Sequence, residues 1–210
     1  MGPIPGDLPG AALFGAALPV AVEYARLLST DGVERGLLGP REVPRIWERH
    51  ILNSTVIEAF VPQGAQVVDV GSGAGLPGIP LAILRQDVTV TLLEPLLRRT
   101  VFLSEAVQAL GIADRVEIVR GRAEDHSRRY DVVTARAVAP MSRLVPWCRP
   151  LLRSAGSLVA LKGSSAEEEV AAAKQILEEL RLEASVRRLR PVPELDETTA
   201  VIVRQRDKSI

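Results

Sequence analysis

A chain of 210 residues, 47% apolar and 25% charged, has the composition of a globular domain and not of a disordered one. Its single cysteine, Cys148, excludes a disulfide framework and fits a reducing cytoplasm; with His50 and His126 as the only histidines, no zinc ligand set is expected and no metal is assigned. Basic and acidic side chains balance at 26 each, so composition does not announce a nucleic-acid partner, although every basic residue except Lys162, Lys174 and Lys208 is an arginine, the side chain whose planar fork suits phosphate and stacked bases.

Residues 1–10 form a Pro/Gly-rich lead. The apolar run from Ala11 to Val22 contains Pro19 and lacks a basic flank, so it reads as a helix, Leu13 to Leu28, and not as a signal peptide. No uncharged apolar run reaches the roughly 18 residues of a membrane span, and no membrane partner is expected. A second helix, Pro44 to Phe60, places Ile46, Trp47, His50, Ile51 and Ser54 on one face. From residue 66 the pattern changes. Gln66–Val70, Val88–Glu94, Val116–Val119, Asp131–Ala135 and Ser157–Lys162 read as strands, with helices over 77–85, 95–110, 140–152 and 165–182. Such alternation implies parallel strands with helical crossovers. Ala184–Arg190 and Thr198–Gln205 enclose a Pro191/Pro193 turn and predict a hairpin, so the last strand should be antiparallel. The chain therefore divides into a helical extension over 1–61 and an α/β domain over 62–210, one globular unit, expected to be a monomer.

The strand Val67-Val68-Asp69-Val70 runs into Gly71-Ser72-Gly73-Ala74-Gly75-Leu76-Pro77-Gly78 and then a helix. Glycines there let the backbone approach a ligand, and the helix start adds free N–H groups. Gly73, Gly75 and Gly78 match the dinucleotide fingerprint, with Glu94 about twenty residues on, so a nicotinamide enzyme is a rival. Asp69 on the approach to the loop would repel a pyrophosphate. A second acidic loop, Gly121-Arg122-Ala123-Glu124-Asp125, suits an adenine, and the closing hairpin is foreign to the dinucleotide fold.

Asp69, the glycines, Glu94 and Glu124 at successive strand ends resemble class I S-adenosylmethionine methyltransferases of Rossmann-like α/β fold. Residues 68–83, with Trp47–Ser54, Thr134–Ala137 and Ala160–Gly163, resemble the GidB/RsmG family, and Gly36–Arg45 resembles its actinobacterial branch. The family methylates N7 of a guanine in 16S ribosomal RNA. The resemblance implies S-adenosyl-L-methionine as cofactor and the small ribosomal subunit or its RNA as partner. It also implies cofactor contacts at Gly71, Gly73, Leu76, Ala123, Glu124 and Arg136, with Glu94 on the ribose. Asn53 stands where many members have Asp.

Guanine N7 carries a lone pair and no proton, so transfer needs no general base, and no catalytic residue is assigned. Arg136 would bind the cofactor's carboxylate end or orient the guanine; the alternative is a surface arginine pairing an acid. His50, Arg98 and Lys162 are candidates for RNA contact, against packing for His50 and solvation for the other two. Arg35, Arg41, Arg45, Arg49 and Arg99 could extend a rim for the RNA backbone. A small-molecule methyltransferase and a non-catalytic ribosome-assembly protein are the competing functions.

Overall fold

The computed structural model describes residues 8–206. The described residues up to Phe60 are helical but irregular. Helices α1 (Ala11–Phe14) and α2 (Leu18–Leu27) are joined by a 3-10 turn and followed by a wide turn over Leu28–Gly32. The expected helix from Pro44 to Phe60 is instead a 3-10 turn (Pro40–Arg45), a wide π-type turn (Ile46–Leu52), the short α3 (Asn53–Thr55) and a further 3-10 turn (Val56–Phe60). Pro44 lies inside the first of these, where its missing N–H denies Pro40 O an α-helical partner. The expected inward face survives: Ile46, His50, Ile51 and Ser54 are all buried.

The remaining chain builds a seven-stranded sheet with order β3-β2-β1-β4-β5-β7-β6. Strands β1 (Gln66–Val70), β2 (Thr89–Glu94), β3 (Val116–Arg120), β4 (Tyr130–Arg136) and β5 (Leu152–Lys162) are parallel. The expected hairpin is β6 (Leu182–Leu189) with β7 (Thr198–Gln205), and β7 inserts antiparallel between β5 and β6. Crossovers are α4 (Gly78–Leu84), α5 (Leu97–Ala109) and α6 (Met141–Cys148); the helix expected over 165–182 is broken at Ala173 into α7 (Ala166–Ala172) and α8 (Lys174–Glu179). This is a Rossmann-like sheet closed by an antiparallel hairpin. Its strand order reverses between β1 and β4, and such a reversal opens a crevice at the carboxyl ends of the strands.

Alternation along each strand sends side chains to opposite faces. Val67, Leu92, Val132, Val159 and Ile202 join α4, α5 and the N-terminal residues Phe14, Tyr24, Leu28, Ile51 and Ile57 in one core. Val68, Leu93, Val133, Ala160 and Val201 pack with Met141, Leu144, Val145 and Leu177 on the other face. The N-terminal segment thus shares a core with the sheet. By length and composition alone, the run Ala11–Gly32 is apolar enough to cross a membrane, with mean hydropathy 1.4, although Glu23, Arg26 and Asp31 interrupt it and the count of uncharged residues above stands. Here its Ala21, Tyr24 and Leu28 are wholly buried in the domain core. Leu96, Leu97 and Val101 form an exposed apolar patch on and beside α5, which periodicity did not reveal.

Candidate functional site

The carboxyl edge of the sheet carries two chemically different halves. At the ends of β1 and β2, the glycine loop is held by backbone donors. Gly71 N–H and Ser72 N–H donate to Leu93 O at 2.8 and 3.3 Å. The Glu94 carboxylate, 1% exposed, accepts from Gly73 N–H at 2.9 Å and Leu96 N–H at 3.0 Å, with Arg99 Nη1 3.6 Å away. Gly75 has φ +98°, and a Cβ there would run into the Ile79 side chain, so the position favours glycine. Tyr24 Oη, from the N-terminal helix, donates to Ala74 O at 2.8 Å and fastens the loop from outside.

Asp69 is wholly buried beneath this loop. Its Oδ2 accepts from Gly78 N–H at 3.1 Å, while Oδ1 has no hydrogen-bond partner among the described residues. Burial pushes its pKa up to about 7, against the Gly78 N–H and Ser72; nearby Glu94 adds to the rise and Arg136 opposes it. A loop stripped of side chains, flanked by two buried carboxyls, fits a cationic ligand carrying ribose hydroxyls better than a pyrophosphate. An ionised carboxylate only accepts hydrogen bonds, so Glu94 suits hydroxyl donors. Leu76 is buried in the loop, and the turn Ala123–Asp125 follows β3 with Ala123 buried and Glu124 exposed. All of these lie at the same edge of the sheet.

At the ends of β4 and β5 the groups are basic. Arg136 closes β4, and its guanidinium reaches back to the N-terminal segment. Nη1 donates to His50 O and Ser54 Oγ, both at 3.2 Å; Nη2 donates to Arg49 O and meets His50 Nδ1, both at 3.0 Å. His50 Nε2 lies 2.8 Å from Glu42 Oε2. Burial and the Arg136 charge lower the His50 pKa despite Glu42. Lys162 closes β5 with its side chain 7% exposed; Nζ donates to Ala139 O at 2.6 Å and to Glu169 Oε2 at 2.7 Å. Glu169 also accepts from Met141 N–H at 3.0 Å. These bonds clamp the turn after β4, in which Ala137 takes a left-handed φ of 54°.

Between these groups lies a cleft of about 700 Å³, lined by Arg49, Asn53, Arg136, Val138, Lys162 and Glu197 among others. It adjoins the glycine loop, because a Cβ on Gly71 would lie 2.9 Å from Val138 Cγ2. His50 and Lys162, read as RNA candidates, are thus largely buried and already hydrogen-bonded. Arg98, Arg41 and Arg45 are exposed, and Arg35 pairs with Glu105. Sequence reasoning missed Tyr24, Glu42 and Glu169. Each partners a group distant from it in the chain or hidden in a different element; of the three, Glu42 alone stands in a stretch that carries the resemblance, Gly36–Arg45, and nothing there marks its partner.

A family model described as rRNA small subunit methyltransferase G matches residues 18–189. The chain is 61% identical over 167 residues to the ribosomal RNA small subunit methyltransferase G of Thermobifida fusca, covering 79% of this chain and 70% of that one. It is 50% identical over 196 residues to the protein of that name from Kineococcus radiotolerans, covering 92% and 77%. Among solved structures, it superposes on a putative S-adenosyl-L-methionine-dependent methyltransferase from Methanococcus maripaludis with TM-score 0.62 and 17% identity, covering 89% and 95%. It superposes on a ribosomal protein L11 methylase from Lactobacillus delbrueckii with TM-score 0.59 and 17% identity, covering 74% and 77%. These two likenesses bear on the fold alone.

Proposed function

The chain belongs to the rRNA small subunit methyltransferase G family, and we propose that it methylates N7 of a guanine in 16S ribosomal RNA, with S-adenosylmethionine as donor. The observation that carries this reading is the close packing of Val138, on the lining of the basic cleft, against Gly71 of the acid-flanked glycine loop. When bound, the cofactor supplies an electrophilic methyl on a sulfonium.

Gly71, Gly73 and Leu76 would hold the cofactor's methionine end, Glu94 its ribose hydroxyls, and Ala123 and Glu124 its adenine. Arg136, at the boundary, holds the cofactor carboxylate or the guanine. The cleft takes the guanine, and its walls fix the angle of N7 to the methyl group. Because N7 attacks through a free lone pair, orientation and exclusion of water are the contributions required of the protein. The methylated base is cationic, and the carboxylate of Glu197 on the lining lowers the cost of that charge. Arg98, Arg41 and Arg45 offer guanidiniums to RNA phosphates around the rim. Residues 1–61 act as an extension that walls the cleft, and residues 62–210 as the cofactor domain of a monomer.

The test is transfer of tritiated methyl from S-adenosylmethionine to small ribosomal subunits lacking the modification, with wild type and Arg136→Ala. Incorporation into RNA that the variant loses supports the assignment. No incorporation into subunits or deproteinised RNA, with cofactor binding intact, overturns the RNA substrate.

A further inference from the structure

Arg136, His50 and Glu42 form a chain of hydrogen bonds from the end of β4 to the 3-10 turn Pro40–Arg45. We infer that Glu42 is a positioning residue: by fixing the tautomer of His50, it holds Arg136 against the Arg49–Ser54 segment and so sets one wall of the guanine cleft. The inference rests on the reading of that cleft given above.

A guanidinium only donates, so the His50 Nδ1 that faces Arg136 Nη2 at 3.0 Å must be the acceptor nitrogen of a neutral ring. The proton then sits on Nε2, which donates to Glu42 Oε2 at 2.8 Å. The other tautomer would set Nδ1–H against a guanidinium N–H and leave Glu42 facing a bare lone pair. The carboxylate therefore selects the tautomer that Arg136 requires. Its second oxygen lies 3.5 Å from Arg49 Nη1, so the same group steadies another residue of the cleft lining. Arg136 completes the arrangement by donating to Arg49 O and His50 O, which places Arg49 and Asn53 across from Val138 and Lys162. His50 faces Glu42, Arg136 and Arg49 as its charged neighbours. Protonation of His50 would put a second cation against Arg136 and remove its acceptor, so the wall is held only while the ring is neutral.

Glu42→Ala and Glu42→Gln separate tautomer control from charge, because the glutamine carbonyl still accepts from Nε2–H while carrying no charge. The full-length protein labelled with ¹⁵N-histidine reports the tautomer, with His126→Gln to assign the second ring. Wild type and Glu42→Gln are expected to show the Nε2–H form, and Glu42→Ala a mixture. For methyl transfer to subunits, kcat/KM should fall about tenfold in Glu42→Ala and stay within about threefold in Glu42→Gln, since small misplacements of reacting groups cost factors of this order. An unchanged tautomer in Glu42→Ala overturns the inference. So does an altered tautomer with unchanged kcat/KM, or equal impairment of both variants. If wild type methylates no RNA, the proposed function fails, while the tautomer ratio still decides whether Glu42 governs His50.

Discussion

The two halves of the carboxyl edge are built by opposite means. The glycine loop at β1 and β2 is held by backbone N–H groups converging on Asp69, Glu94 and Leu93 O, with residues 69–78 supplying most of the geometry. The cleft at β4 and β5 is held by cationic side chains, Arg136 and Lys162, that reach carbonyls and acids on other elements. A site made from backbone tolerates side-chain exchange but not a change of backbone shape. A site made from long side chains depends on each partner staying where tertiary packing puts it. The first arrangement suits a cofactor of constant shape, and the second suits a substrate that enters and leaves.

The largest effect expected is on the cleft side. Arg136→Met removes four donor contacts and leaves Arg49 O and Ser54 without their cationic partner. Methyl transfer to subunits should fall by about 100-fold, the scale of a lost orienting contact, while calorimetry with S-adenosylhomocysteine shows whether cofactor affinity falls with it. Retained affinity places Arg136 with the guanine; lost affinity merges the two halves at this residue.

On the loop side, Gly75→Ala must strain a backbone at φ +98° and displace Ile79. It should cost about 2–4 kcal/mol in urea unfolding, as backbone strain and overpacking combine. A cost near zero would mean that the loop has no required shape. Glu94→Gln keeps one acceptor oxygen for two N–H groups, Gly73 and Leu96. Cofactor affinity should weaken about tenfold, the worth of one charge-assisted hydrogen bond, with no change in the RNA concentration dependence if the halves are independent.

A further predicted effect is one of pH. The folded-state pKa of Asp69 is raised to about 7, above that of a free carboxyl. The fold therefore favours the protonated form. That contribution is complete below roughly pH 4, the unfolded value, and is lost as pH rises through the folded one. Wild type should lose stability relative to Asp69→Asn between pH 5 and 8, measured by urea unfolding at both. A difference that does not move with pH would show that Asp69 is charged throughout and that its orphaned Oδ1 finds a partner.

The order of strands and helices, the closing hairpin, the glycine loop and its acids were legible in the sequence. Each rests on local physics: alternation of apolar residues, turn chemistry, and the spacing of Asp69, Gly71 and Glu94 along one β-α-β unit. The irregular turns over 40–60 were not legible, because the apolar spacing of Ile46, His50 and Ile51 satisfies several helix pitches and tertiary contacts choose among them. Nor was the burial of His50 and Lys162, whose types suggest exposed contacts with RNA. Arg136 lies 86 residues from His50, and no pattern within either segment specifies that they meet. Local periodicity determined which elements form and where the glycine loop falls. Only the packing of the N-terminal segment onto the sheet decided which side chains would close the cleft, because hydrogen bonds between distant segments exist only once the shared core has brought them together.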